Sequence, residues 1–104
     1  MYSMIFAVYP KSGMSREECA EYLLSEHSKI SARMPHAKTV RQFGVTGTHE
    51  ARDNDIAAFT LIEFDSVEDF QAAASSPVMK EANSDAENFA SHIAVYNVEA
   101  NVVI

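Results

Sequence analysis

A single cysteine, Cys19, leaves this chain without an internal disulfide, so its fold rests on noncovalent packing alone. Lysine and arginine together number only eight, against fifteen acidic residues, and they form no cluster that could neutralise a run of phosphates. Nucleic acid is therefore excluded as a partner, and an anionic membrane surface with it. Long apolar runs are missing too. The N-terminal stretch at residues 4–9 is far too short to span a bilayer, and it has neither a basic leader nor a small-residue cleavage site, so it reads as a strand of a cytoplasmic protein. The four histidines, His27, His36, His49 and His92, show no H-x-x-x-H or related spacing. Nothing in the pattern asks for a metal, haem or other cofactor. The 104 residues make one domain, residues 1–104, with 47% hydrophobic and 22% charged residues, enough to bury a core without a metal or disulfide staple.

What the chain does have is one clean helix at residues 15–35. Ser15 and Glu18 form a capping box at its start, and Gly13 supplies the turn ahead of it. Cys19, Tyr22, Leu23, Ile30 and Met34 then fall at helical spacing along one face, and Pro35 forces Met34 out of helical geometry. His27 lies on that apolar stripe, four residues after Leu23 and three before Ile30. Two readings are open for it. It can hold the helix on a sheet through a hydrogen bond to a backbone carbonyl. Alternatively it lines a pocket as an acid or base, since an ordinary imidazole exchanges its proton near neutrality. Cys19 is two helical turns away, roughly 12 Å by helix rise, too far for a thiolate–imidazole pair, and reads as a buried structural thiol.

The other elements come in order. Residues 2–9 form a strand that is apolar on both faces, and residues 39–46 a second in which Val40, Phe43 and Val45 alternate imperfectly with polar neighbours. Gly44 within it suggests a bulge or a close approach by another backbone or a ligand. Residues 47–55 have no apolar anchor and read as a long loop. Residues 56–64 are the most hydrophobic strand. A second helix opens at Asp65 and Ser66, with Val67, Phe70, Ala73 and Ala74 as its inner face, and ends at Ser76 and Pro77. A short turn over residues 78–83 precedes another capping box at Ser84 and Glu87, and a last strand occupies residues 92–103. The order strand, helix, strand, strand, helix, strand is the split β-α-β arrangement of the ferredoxin-like α+β class, an open four-stranded antiparallel sheet with two helices on one face. Helices cover only one side of such a sheet. The apolar other side predicts a homodimer, two sheets face to face in a dimeric α+β barrel.

In this setting the chain resembles the EthD family of dimeric α+β-barrel proteins over nearly its whole length. The resemblance rests on the helix opening Met14-Ser15-Arg16-Glu17-Glu18 and carrying Tyr22, His27 and Met34-Pro35. It rests too on the run from Phe64 to Phe70, and on Ala72 to Pro77 followed by Asp85, Asn88 and Phe89. The chain departs from the family pattern at His36, where glycine is usual, and at Lys29-Ile30, where proline and leucine are usual. The family takes its name from a protein encoded beside an ether-degrading monooxygenase system, which ties it to the degradation of xenobiotics. The barrel also serves cofactor-free isomerases of methylated muconolactones, aromatic polyketide cyclases and metal-free oxygenases. In the lactone isomerases a histidine matching His27 points into the cavity and moves protons.

The resemblance thus implies a small apolar or aromatic, often cyclic, metabolite bound in an apolar cavity, without a cofactor, and proton-transfer chemistry of isomerase, cyclase or lyase type. His27 is the candidate acid/base, with Tyr22 and Tyr96 as catalytic hydroxyls and Tyr9, Met34, His36, Phe43, His49 and His92 as candidates for substrate contact. Two other readings stand beside it: a non-catalytic binding or accessory protein for an apolar metabolite, and a haem handler, as some barrels of this architecture are. A ring open to a cavity and close to a tyrosine or second histidine favours chemistry. A purely aliphatic and aromatic lining favours carriage.

Overall fold

The computed structural model describes residues 1–50 and 55–104, so part of the loop expected at 47–55 lies outside the described residues. The elements are β1 (Tyr2–Pro10), α1 (Arg16–Tyr22), a π-helical turn (Leu23–His27), α2 (Ser28–Ser31), β2 (Thr39–Gly44), β3 (Ala58–Phe64), α3 (Val67–Ala74), α4 (Pro77–Asp85), a 3-10 turn (Ala86–Asn88) and β4 (Ala90–Val98). The strands form one antiparallel sheet in the order β2-β3-β1-β4. This is the ferredoxin-like α+β fold.

Alternation decides what each strand gives to the core. In β3, Ala58, Thr60, Ile62 and Phe64 are buried while the residues between them are only half-buried. The ladders align Thr60 with Phe6 of β1 and with Gln42 of β2, so one face of the sheet presents a row of Gln42, Thr60 and Phe6 to the helices. The same register aligns Tyr9 with His92 and Ile5 with Tyr96 on the opposite face. Beneath the helices the core falls into two clusters, one around Val8, Cys19, Leu23, Ala57, Ala58 and Phe89, the other around Met34, Ile62, Phe64 and Ala73.

The helix starts obey their caps. The Ser15 and Glu18 box closes reciprocally on α1, and the Ser66 side chain accepts from the Asp69 amide at the start of α3. The inner face of α3 is narrower than the sequence suggests, because Val67 and Ala74 are exposed and only Ala73 is fully buried. Residues 78–83, expected as a turn, are helical. Ser76 caps a new helix by accepting from the Met79 amide, Pro77 takes its first position where no N–H is needed, and Ser84 lies inside this helix rather than opening another. The last strand stops at Val98 instead of 103. Its partner β1 begins at Tyr2 and Val98 already pairs with Ser3, so a single residue of β1 remains beyond the ladder and a strand running on to 103 would have no partner. Gly44 is a point of close approach by side chains. A Cβ there would lie 3.2 Å from Leu24 Cδ1 and 3.4 Å from Ala20 Cβ, so its lack of a side chain lets the first helix sit down on β2.

Candidate functional site

The first helix does not hold one α-helical register. Between Leu23 and His27 it widens by one residue, and the Ser28 amide donates to the Leu23 carbonyl five residues back. Such π-turns occur mostly as single inserted turns. The extra residue rotates the remainder of the helix. An uninterrupted helix would bury Ile30, yet Ile30 is only half-buried and Ser31, one position on, is 6% exposed. The buried face therefore runs Leu23, His27, Ser31, Met34.

His27 is 9% exposed and its ring tilts against Phe89 at a centroid distance of 4.8 Å. Its Nδ1 is 2.8 Å from Asp85 Oδ2, at the last residue of α4. The other oxygen of Asp85 accepts from the Tyr22 hydroxyl at 2.8 Å and from Asn88 Nδ2 at 2.9 Å. Burial is the largest influence on this carboxyl and raises its pKa. The hydrogen bonds from His27, Asn88 and Tyr22, with the nearby imidazole, outweigh burial and hold it below the usual carboxylate range. Asp85 is thus ionised at neutral pH and can only accept, which puts the imidazole proton on Nδ1. Tyr22 shifts upward, chiefly because its hydroxyl donates to Asp85 and further because of burial and that negative charge, so it stays a donor. Its ring stacks on Phe89 at 5.3 Å.

With Nδ1 engaged, Nε2 is left as the free ring nitrogen. No described group bonds to it, and no fully buried side-chain nitrogen or oxygen among the described residues lacks a partner, so Nε2 is open to space. His27 borders a cavity of about 70 Å³ between sheet and helices. His27, Ser31, Met34, Thr60, Met79 and Phe89 are among its walls, and no lysine or arginine is among its described lining residues.

Of the residues singled out in the sequence, the structure brings His27 and Met34 to this cavity and Tyr22 to the carboxylate behind it. The rest lie elsewhere. Tyr9 and His92 stand together on the opposite face of the sheet, with rings 5.6 Å apart, and Tyr96 is on that face at 57% exposure. Phe43, 42% exposed, shares a separate surface hollow with His49 beside the 47–50 segment. His36 follows Pro35 in a left-handed turn with φ 64° and is exposed. Four residues not singled out as site residues take their place: Asp85, Asn88, Ser31 and Thr60. Cys19 is fully buried, and burial raises its thiol pKa. Among the described residues no group of three or more His, Cys, Asp or Glu side chains could hold a metal ion, and no helix is long and apolar enough to cross a membrane.

Fold and site together define a ferredoxin-like α+β protein whose first helix holds a carboxylate-backed histidine against an apolar cavity. The EthD domain model matches residues 11–93, and the chain belongs to the EthD family. Among solved structures, an EthD family protein from Bacillus halodurans superposes with a TM-score of 0.77 at 17% identity, covering 97% of this chain and 100% of that one. A hydroxynitrile lyase from Passiflora edulis matches the chain with a TM-score of 0.74 at 20% identity, covering 99% and 95%. A dimeric ferredoxin-like protein of unknown function from Thermobifida fusca gives 0.73 at 13% identity, covering 95% and 90%. At these identities the likeness is one of fold. No curated protein matches the chain significantly.

Proposed function

We propose that this protein is a proton-transfer enzyme of isomerase, cyclase or lyase type, working on a small neutral metabolite with His27 as its acid and base. The observation that carries the reading is the buried His27–Asp85 contact at 2.8 Å, which fixes the imidazole proton on Nδ1 and leaves Nε2 free at an apolar cavity. In that state Nε2 takes a proton from the carbon beside a carbonyl. Asp85 balances the imidazolium that forms, and the proton returns to the same or another atom of the substrate. The low dielectric of the apolar walls strengthens each of these interactions. Tyr22 and Asn88 support from behind, since their bonds end on Asp85 and not in the cavity. The lyase named among the structural neighbours is consistent with such chemistry on this fold.

The cavity also bounds the substrate. At about 70 Å³ it is less than half the roughly 150 Å³ that encloses benzene, so a small cyclic ketone or lactone enters it with its carbonyl end only. The reading includes a homodimer. Phe43 and Tyr96 stand exposed on the uncovered sheet face beside Ile5, Phe59 and Leu61, and three structural neighbours are described as dimeric.

The test is hydrogen–deuterium exchange followed by proton NMR on small cyclic ketones and lactones in D₂O. Wild-type protein is expected to catalyse exchange next to the carbonyl, and His27→Gln to abolish it while circular dichroism stays unchanged. No catalysed exchange across the panel, or equal exchange by His27→Gln, refutes the reading in favour of carriage.

A further inference from the structure

Two hydroxyls inside the cavity are left over by the network around Asp85. Ser31 and Thr60 are 6% and 7% exposed and both line the cavity, in walls otherwise made mainly of apolar side chains. Burying a hydroxyl without a partner is unfavourable, and an alanine or valine would pack either place. Neither hydroxyl donates to any described group. Gln42 Nε2 donates to Ser31 Oγ at 3.4 Å, which occupies a lone pair of that oxygen and leaves its hydrogen unspent. Thr60 has no described side-chain partner at all. Among the described residues no fully sealed side-chain oxygen lacks a partner, so the Thr60 hydroxyl keeps some accessible surface, and Thr60 is one of the residues that line the cavity.

The fold places the two groups together for identifiable reasons. Thr60 sits opposite Gln42 in the β2–β3 ladder, and Gln42 reaches up from that row to Ser31. Ser31 faces inward because the π-turn at Leu23–His27 shifts the rest of the helix by one residue relative to Leu23, and His27 lies one ordinary α-helical turn before Ser31 on the buried face.

We infer that Ser31 and Thr60 form a pair of hydrogen-bond donors for an uncharged oxygen acceptor, which makes the substrate class a compact neutral carbonyl compound, a ketone, aldehyde or lactone, rather than a carboxylate. The inference rests on the cavity being the substrate site of the proton-transfer reading. The absence of lysine and arginine from the described lining disfavours an anionic ligand, which would lose its hydration without gaining a fixed positive partner. In the reaction, the C–H electron pair left when His27 Nε2 takes the proton moves into the adjacent C–C bond and the carbonyl pair moves onto oxygen. Ser31 and Thr60 donate to that oxygen, and reprotonation by the imidazolium restores a neutral product.

The test uses cyclopentanone, cyclopentene and cyclopentanecarboxylate as probes, with binding measured by NMR titration and proton exchange measured separately on the ketone. Cyclopentanone is expected to bind better than either of the others. Thr60→Val and Ser31→Ala should each weaken ketone binding about tenfold, the size of one lost hydrogen bond, without changing cyclopentene binding, and Thr60→Ser should restore it. Ketone binding no better than cyclopentene binding, ketone binding indifferent to both substitutions, or tighter binding of the carboxylate overturns the inference. Hydroxyl-dependent ketone binding with no catalysed exchange supports the donor pair and removes the catalytic reading, so the two fail separately.

Discussion

Replacing Asp85 by asparagine preserves the volume of the side chain and removes its charge, and the hydrogen bonds around it set the consequences. The carboxylate serves His27 with one oxygen and Tyr22 and Asn88 with the other. Asparagine has one acceptor oxygen and an amide that only donates. With its oxygen turned to His27, its amide meets the amide of Asn88, donor against donor. With its amide turned to His27, Nδ1 must accept, the ring proton moves to Nε2, and the nitrogen at the cavity can no longer take a proton. Hydrogen bonds to a charged group contribute about 1.5–3 kcal/mol each, so losing one outright and the charge from the others costs about 2 kcal/mol. For a domain of this size that lowers Tm by about 8–16 °C. Catalysed exchange should fall by about 10²- to 10⁴-fold, the contribution of a positioned acid–base group.

The decisive measurement needs no substrate. Long-range ¹H–¹⁵N NMR distinguishes the two imidazole tautomers, and neutral His27 should carry its proton on Nδ1 in the wild type. The stability difference between the two proteins also has a required pH dependence. The folded-state pKa of Asp85 lies below its unfolded value, so its contribution is fully present above the unfolded value. It is lost as pH falls below about 4 toward the folded value. Urea midpoints of wild type and Asp85→Asn should therefore be far apart at neutral pH and converge in acid. A wild-type His27 protonated on Nε2, or a gap that stays constant down through the acid range, would falsify the assignment of Asp85 as the group that orients the ring.

The remaining expectations concern packing and assembly. Phe89 is fully buried and carries the rings of both Tyr22 and His27, so Phe89→Ala should cost about 3–5 kcal/mol in urea denaturation; a loss below about 1 kcal/mol would show that the ring is not a support for the site. Cys19, fully buried with its thiol pKa raised by burial, should react with a thiol reagent in native protein far more slowly than in urea, and equal rates would contradict its place in the core. Leu61 pairs with Ile5 and Arg41 on the uncovered sheet face, so Leu61→Lys should turn the dimer into a monomer in sedimentation while leaving the fold intact. A wild-type chain that sediments as a monomer at micromolar concentration would rule out the dimer.

Much of the scaffold is legible in the sequence because it depends on local signals. Ser15 and Glu18 mark a helix start through a reciprocal bond three residues apart, and period-two alternation marks β3. Alternation fails where both faces are apolar. In β1 it separates Tyr9 from Val8, yet only the position of the helices tells which of the two looks into the core. This is why tyrosines and histidines that register places on the outer face, Tyr9, His92 and Tyr96, look equivalent to Tyr22 when read along the chain. Ser84 and Glu87 satisfy the pattern of a helix start, but a stronger start eight residues earlier, Ser76 with Pro77 behind it, already has the chain in helical conformation.

The chemistry of the site is the part that local pattern hides, and for two distinct physical reasons. The contact between His27 and Asp85 spans 58 residues, and a carboxylate at the end of a helix carries no periodic signal that would pair it with a histidine so far away. The π-turn is subtler. A stripe drawn at 3.6 residues per turn places His27 correctly and then buries Ile30, because a single inserted residue leaves no trace in composition. Its cost in helical hydrogen bonding gives the fold nothing that a regular helix with a buried isoleucine would not also supply. What it does supply is an inward-facing hydroxyl at Ser31, one turn from an inward-facing imidazole, both on the wall of one cavity. A departure from regular structure that weakens the apolar core and places two polar groups together is better explained by what those groups bind than by stability.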